Sequence, residues 1–278
     1  MIIDGKKIAT DLQKSVKERI KALGFSPTLA VILVGDNPAS LIYVNNKCKT
    51  AEKLGIKANL YHLSPVMTAE ALKAFIKDLN KDPAVNGILL QLPLPGTLEK
   101  DTFDLINTID PAKDVDGLTQ ENLGRLFVGR AGIIPGTPKA CLTLLKNVQK
   151  NLKGLHAVVI GRSLLVGRPL AQLLLQEDMT VTMTHSKTKN LEKICSGADV
   201  IISATGVPHL ITPSCVKKGA IVIDVGIHRL ESGKITGDVD FDAVAPLTKA
   251  ITPVPGGVGP MTIAMIWENL LMMCQRKK

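Results

Sequence analysis

The chain has 278 residues, 45% of them hydrophobic and 21% charged, and its 34 Lys and Arg against 25 Asp and Glu give a formal net charge of +9. That composition is globular, long enough for two domains, and attractive to small anions or polyanions. Five dispersed cysteines (48, 141, 195, 215 and 274) without a CxxC, and five scattered histidines, argue against a disulfide frame and predict no metal; an aromatic content of 3% argues against base stacking.

The opening MIIDGKKIATDLQ carries an acid at position 4 and no apolar core of signal-peptide length, so export is not expected and a reducing, cytoplasmic setting is. Residues 6–21, KKIATDLQKSVKERIK, mix charges of both signs along one solvated helix. A strand is expected at LAVILV (29–34), followed by a helix over 39–54. Within that helix SLIYVNNK places Tyr43 four positions before Lys47, on one helical face. Further strands fall at IKANLYHL (56–63) and GILLQL (87–92), with a helix at 68–80 started by Thr68 and Glu70. Gln91 stands at the end of its strand, where two prolines prevent continuation, and DPAKDVDG (110–117) is a polar turn holding Asp114 and Asp116. Taken singly, these are as well read as a surface pair, a backbone cap and a plain turn.

Pro and Gly cluster in RAGIIPGTPKA (130–140), which puts a domain boundary at about 138. The strands then resume at HAVVIG (156–161), TVTMTH (180–185), DVIISA (199–204) and AIVIDV (220–225), with a helix over 166–177. Short Val- and Ile-rich runs of this kind suit parallel strands covered on both faces, hence a βαβ series. The apolar MTIAMIWENLLMMC (261–274) is interrupted by Glu268 and Asn269 and is too short for a membrane span. It reads as a buried terminal helix that can return to the first domain.

VVIGRSLLVGRPLAQLLL (158–175) is a strand, a turn and a helix, the setting in which backbone N–H groups meet a phosphate. GxGxxG is only partly met, by Gly161-Arg162-Ser163 and then Gly167, so an ordinary tight turn stays open. The next strand ends in HSKTK (185–189), where an NAD site would carry an acid. Ser186, Lys187 and Thr188, with Arg162, suit a 2′-phosphate instead and favour NADP; the alternative is a basic loop in a basic protein. ATGVP (204–208) and DVGIH (224–228) also follow apolar strands, at the sheet edge where such folds hold ligands.

In order and spacing, PASLIYVNNKCKTAEKLGI (38–56), GILLQLPLP (87–95), PAKDVDG (111–117), GRSLLVGRP (161–169) and TPVPGGVGPMT (252–262) resemble the bifunctional methylenetetrahydrofolate dehydrogenase/methenyltetrahydrofolate cyclohydrolase family, over essentially the whole chain. The resemblance implies an α/β protein of two doubly wound domains with a folate cleft between them. A catalytic folate domain would span 1–138 plus the helix 262–278, and a Rossmann NADP-binding domain 139–261. It implies oxidation of 5,10-methylenetetrahydrofolate with NADP, then hydrolysis to 10-formyltetrahydrofolate. Lys47, Tyr43, Gln91 and Asp116 match the catalytic group. Substrate contacts would come from these four with Leu90, Leu92 and the loop Pro255, Gly256, Gly257, Val258 and Gly259. Cofactor contacts would fall on Gly161, Arg162, Ser163, Ser186, Lys187, Thr188 and Ile227.

A homodimer is implied as well, acting on tetrahydrofolate one-carbon derivatives with or without a polyglutamate tail, and with no nucleic-acid or membrane partner. Two positions depart from the family pattern: Gly136 replaces a common Cys, and Leu164 replaces Lys or Asn. Hydride loss from the methylene carbon leaves a stabilised iminium ion and needs positioning above all, whereas hydrolysis needs a general acid/base. Lys47 suits that role if burial lowers its pKa, with Gln91 orienting it, Tyr43 packing along the ring system and Asp116 accepting from the pterin. Three other readings stay open: a member with one of the two activities, a basic nucleic-acid-binding protein whose affinity falls steeply with salt, and a carrier that binds without turnover.

Overall fold

The computed structural model describes residues 1–130 and 132–276, with the backbone alone at position 39. Position 131 of the expected boundary stretch and positions 277–278 of the expected terminal helix lie outside the described residues.

Helix α1 (Gly5–Lys21) leads into strand β1 (Thr28–Val34), α2 (Pro38–Leu54), β2 (Lys57–Leu63), α3 (Ala69–Lys81) and β3 (Gly87–Leu90). Three helices follow: α4 (Thr102–Ile106), α5 (Gln120–Phe127) and α6 (Gly136–Val148). The alternation resumes with β4 (His156–Ile160), α7 (Gly167–Gln176), β5 (Thr180–Thr184), α8 (Leu191–Cys195), β6 (Val200–Ser203) and β7 (Ile221–Asp224). A short ribbon of β8 (His228–Arg229) and β9 (Ile235–Thr236) precedes α9 (Phe241–Val244), β10 (Ala250–Ile251) and α10 (Val258–Arg276).

Every residue of β3, β6 and β7 is buried, and so is every residue of β1 after Thr28. Continuous apolar runs are tolerated there because helices cover both faces of a parallel sheet. β2, β1 and β3 form one parallel sheet in that order. A second parallel sheet runs β10-β7-β6-β4-β5. In the first, Ala30, Ile32 and Val34 of β1 pack with Leu72 and Ile76 of α3 and with Ile88 and Leu90. In the second, Val158, Ile201 and Val222 pack with Ile211, Val239 and Val244.

The chain divides into two compact units. The five-stranded unit holds Met1–Thr10, Leu126–Arg130 and Pro135–Met265. The three-stranded unit holds Asp11–Arg125, the segment ending at Ile134, and the chain from Ile266 onward. The partition therefore interleaves more than a single cut near 138 with one returning helix. Its physical cause is backbone pairing: Ile3 N donates to Ile251 O, Ile251 N to Met1 O and Lys6 N to Gly256 O, which ties residues 1–6 to the second sheet.

In the three-stranded unit two buried polar residues hold the segment after β3 in place. Lys113 sends its ammonium group to the carbonyls of Leu79, Asn80 and Asp82 at 3.0, 2.7 and 2.7 Å, where the negative end of α3 attracts a cation. Asn269 of α10 donates to Val115 O and Ile134 O, both at 2.9 Å. Asn269, one of the two residues that interrupt the apolar run of the terminal helix, thus satisfies two carbonyls.

Candidate active site

Helix α2 starts where the sequence supplies a cap: Asn37 accepts from Ser40 N at 3.1 Å and Pro38 occupies the first turn. Val44 faces the core, fully buried, while Tyr43 is 42% exposed and makes no hydrogen bond with the described residues. Lys47, one turn further, is partly buried and donates to Gln91 Oε1 at 2.9 Å.

β3 ends at Leu90, two residues short of expectation, and Gln91 leaves the sheet with its own N–H still bonded to Ile32 O. Its Nε2 donates to Leu92 O at 2.6 Å, which turns the amide oxygen towards Lys47. Leu90 itself is buried in the core, and Leu92 packs against that core from a partly buried position.

Burial holds the Lys47 amine below its ordinary pKa, opposed first by the charge of Asp116. Burial likewise pushes the Asp116 carboxyl up to about 6, which Lys47 opposes and Asp114 reinforces. The structure thus brings Lys47, Gln91 and Asp116 into one electrostatic group, with Tyr43 one turn away on the same helix.

KDVDG divides its labour. Asp114 accepts from Gly117 N, Thr119 N and Asn122 Nδ2 at 2.9, 2.8 and 3.0 Å, so its carboxylate is spent on the turn. Asp116 is left without such bonds. Neither Asn122 nor Thr119 is singled out by the sequence, because both lie outside the motif whose Asp114 they serve.

In the five-stranded unit the strand order reverses between β4 and β6, the switch point where open α/β sheets hold ligands at the carboxyl ends. Gly161 follows β4 with φ +117, and a Cβ there would overlap the Ala204 carbonyl after β6. A Cβ on Gly167 would overlap the Gly161 carbonyl, so the two glycines let the turn close onto the first turn of α7. Ser163 Oγ accepts from Val166 N at 3.1 Å, and Thr184 Oγ1, buried at the end of β5, has no hydrogen-bond partner among the described residues.

After β5, His185 Nδ1 accepts from Lys187 N and Thr188 Oγ1 accepts from His185 N, folding HSKT into a tight turn. Ser186 and Lys187 are exposed on it, as are Arg162 and Ser163 on the turn after β4. Thr188 is thus engaged in shaping the turn. Ile227 is 51% exposed after β7. Pro255 is exposed and Gly257 and Val258 buried in the loop that opens α10, and the start of α1 braces that loop through Lys6. The glycine cradle, the helix start, the orphaned hydroxyl and the basic turn fit a dinucleotide bearing a 2′-phosphate. Among the described residues no group of acids, His and Cys is arranged to hold a metal, and no helix is long and apolar enough to cross a membrane.

Comparison with known proteins agrees with this geometry. The profile of the tetrahydrofolate dehydrogenase/cyclohydrolase catalytic domain matches residues 3–116, and that of its NAD(P)-binding domain matches residues 135–278. The bifunctional protein FolD of Campylobacter curvus is 50% identical over 279 residues, covering 99% of this chain and 96% of that protein. The crystal structure of the bifunctional FolD enzyme of Campylobacter jejuni superposes with a TM-score of 0.97 at 47% identity, covering 100% of this chain and 99% of that one. The Trypanosoma brucei FolD enzyme, solved with NADP cofactor and an inhibitor, gives a TM-score of 0.94 at 36% identity, covering 100% and 98%.

The raised pKa of Asp116 has a measurable consequence for stability. Between the ordinary carboxyl value of 3.8 and about 6 the folded chain holds a proton that the unfolded chain has released. Stability therefore falls as pH rises through that window, and the loss is complete above it. Asp116→Asn, neutral throughout, is expected to be more stable than the native chain by about 3 kcal/mol near about pH 8, with the difference shrinking towards about pH 4, in urea unfolding followed by circular dichroism.

Proposed function

The chain belongs to the tetrahydrofolate dehydrogenase/cyclohydrolase family, and on that premise we infer that it oxidises 5,10-methylenetetrahydrofolate to the methenyl form with NADP and hydrolyses the product to 10-formyltetrahydrofolate. The hydrogen bond from Lys47 to Gln91, made by an amine whose pKa is lowered by burial, carries the assignment of the hydrolytic step.

A neutral amine can donate one N–H to Gln91 Oε1 and keep its lone pair for another proton. In hydrolysis a water adds to the methenyl carbon while Lys47 accepts a proton; the same proton then goes to the ring nitrogen as its bond to that carbon breaks. As that bond breaks the hydroxyl proton leaves to solvent and the carbonyl forms, so the cationic methenyl group and one water give the neutral N10-formyl group, a neutral ring N–H, one released proton and an unchanged enzyme. Gln91 is the orienting group, since its amide is fixed by Leu92 O. Asp116, partly buried and free of the turn's hydrogen bonds, accepts from the amino group and ring N–H of the pterin. Tyr43, one helical turn before Lys47 on α2, offers an exposed aromatic face for the folate ring system. The loop from Pro255 to Gly259 supplies further substrate contacts.

NADP, when bound, takes the hydride from the methylene carbon. Gly161, Arg162 and Ser163 with the start of α7 would hold its pyrophosphate, and Ser186, Lys187 and Arg162 its 2′-phosphate, with Ile227 against the far end. The five dispersed cysteines, four of them buried, suit a reducing compartment, and we place the enzyme in the cytoplasm.

Lys47→Met removes the base and leaves hydride transfer in place. Cyclohydrolase activity is expected to fall by at least about 100-fold while NADP-dependent methenyl formation, read from its absorbance, stays measurable. Equal loss of both in a protein that still binds folate would reject the role given to Lys47.

The assembly we propose is a homodimer joined through β5, the edge strand of the five-stranded sheet, whose Met183 is 36% exposed. Sedimentation should give the mass of two chains and Met183→Lys should shift it towards one; a single-chain mass for the native protein rules the dimer out. The net charge of +9 also favours folates with an anionic polyglutamate tail. A triglutamate substrate should accordingly show a lower KM than the monoglutamate, and equal values would remove that preference.

A further inference from the structure

A buried carboxylate joins two loops of the five-stranded unit that the reactions above leave without an explanation. Asp238, between β9 and α9, is 0% exposed. Its Oδ2 accepts from Ser203 Oγ at 2.9 Å, from Thr205 N at 2.7 Å and from Thr205 Oγ1 at 2.9 Å. Its Oδ1 accepts from His228 Nε2 at 2.8 Å, which assigns the ring proton to that nitrogen. A second carboxylate, Asp224 at the end of β7, holds Asp238 in turn by accepting from Asp238 N at 3.0 Å and Val239 N at 2.9 Å. The fit is tight: a Cβ on Gly226 would overlap the Asp238 carboxylate.

A charge buried to this degree is costly unless its lone pairs are filled, and here four donors fill them. Two of the donors come from Thr205 in the loop after β6, and one from His228, which opens β8 and so closes the loop after β7. Those loops have a particular place in the sheet. The pyrophosphate turn follows β4 and the 2′-phosphate turn follows β5, at one end of the strand order. A dinucleotide laid over the carboxyl edge therefore extends its other half over β6 and β7.

We propose that Asp238 is a positioning residue for hydride transfer, setting through Thr205 and His228 the two loops that receive the nicotinamide half of NADP. The proposal rests on the dehydrogenase reading given above. Phosphate and adenosine are gripped elsewhere, so Asp238 governs the angle at which the nicotinamide is offered more than the affinity for the whole cofactor. Hydrolysis does not use the nicotinamide and is untouched.

Asp238→Asn keeps the shape, loses the charge and sets an amide N–H₂ against the His228 donor. Dehydrogenase kcat is expected to fall by about 10- to 100-fold, the NADPH dissociation constant to change by less than about threefold, and cyclohydrolase activity without NADP to stay within about twofold of native. In the NADP-free protein the Thr205 amide should exchange its hydrogen at least about tenfold faster. His228→Ala should lower dehydrogenase kcat, and His228→Gln, which keeps a donor, should restore much of it. If Asp238→Asn does not fold, Thr205→Val removes one donor to the carboxylate and Thr205→Ser returns it. A parallel fall in both activities, or native dehydrogenase kcat in every variant, would overturn the proposal. A native protein that oxidises no methylenetetrahydrofolate would instead reject the dehydrogenase reading, leaving Thr205 exchange to judge the tie between the loops.

Discussion

A parallel strand covered on both faces can offer chemistry only where it ends. The inner strands of both sheets are nearly continuous apolar runs, and the candidate ligand groups stand just past strand carboxyl ends: Gln91 after β3, Gly161 after β4, Ser186 after β5, Thr205 after β6 and Ile227 after β7. The constraint works in two directions. It keeps reactive groups out of the core, where an unpaired charge would be costly, and it sets them against low-dielectric walls where electrostatic effects are large. The lowered pKa of Lys47 and the raised pKa of Asp116 share that origin, since burial is the leading cause of each.

Opposite shifts in two neighbouring groups also limit each other. Were Asp116 removed from the vicinity of Lys47, the amine would lose the charge that holds its pKa up; were Lys47 removed, the carboxyl would lose the charge that holds its pKa down. The pair is therefore tuned jointly, and Gln91 adds direction without adding charge. Asp114 shows the contrast within one motif. Two residues from Asp116, it fills its lone pairs with the donors of its own turn and has nothing left for a ligand.

Much of the architecture was legible in the sequence because it rests on local pattern. The Val- and Ile-rich runs, the start at Thr68 and the helices that became α2, α3 and α7 all follow from periodicity and caps. The short elements α8, α9, β8, β9 and β10 were not anticipated, since two to five residues carry no period. The candidate site was legible mainly through motifs that resemble a family. Its geometry was not: Lys47 and Gln91 are 44 positions apart, and neither local sequence names the other as partner. Asp238 went unnoticed for the same reason, because its donors stand at the end of β6, in the loop after it and at the start of β8, 10 to 35 positions away.

Residues 1–6 have their partners at 249–256, as the bonds of Ile3 with Ile251 and of Lys6 with Gly256 show. During translation residues 1–6 must therefore wait, unpaired, until residues 249–256 have been made. The loop from Pro255 to Gly259 is steadied by that segment. The bracing of this loop is consequently tied to two segments about 250 positions apart, and a product truncated before residue 249 would leave residues 1–6 without these partners.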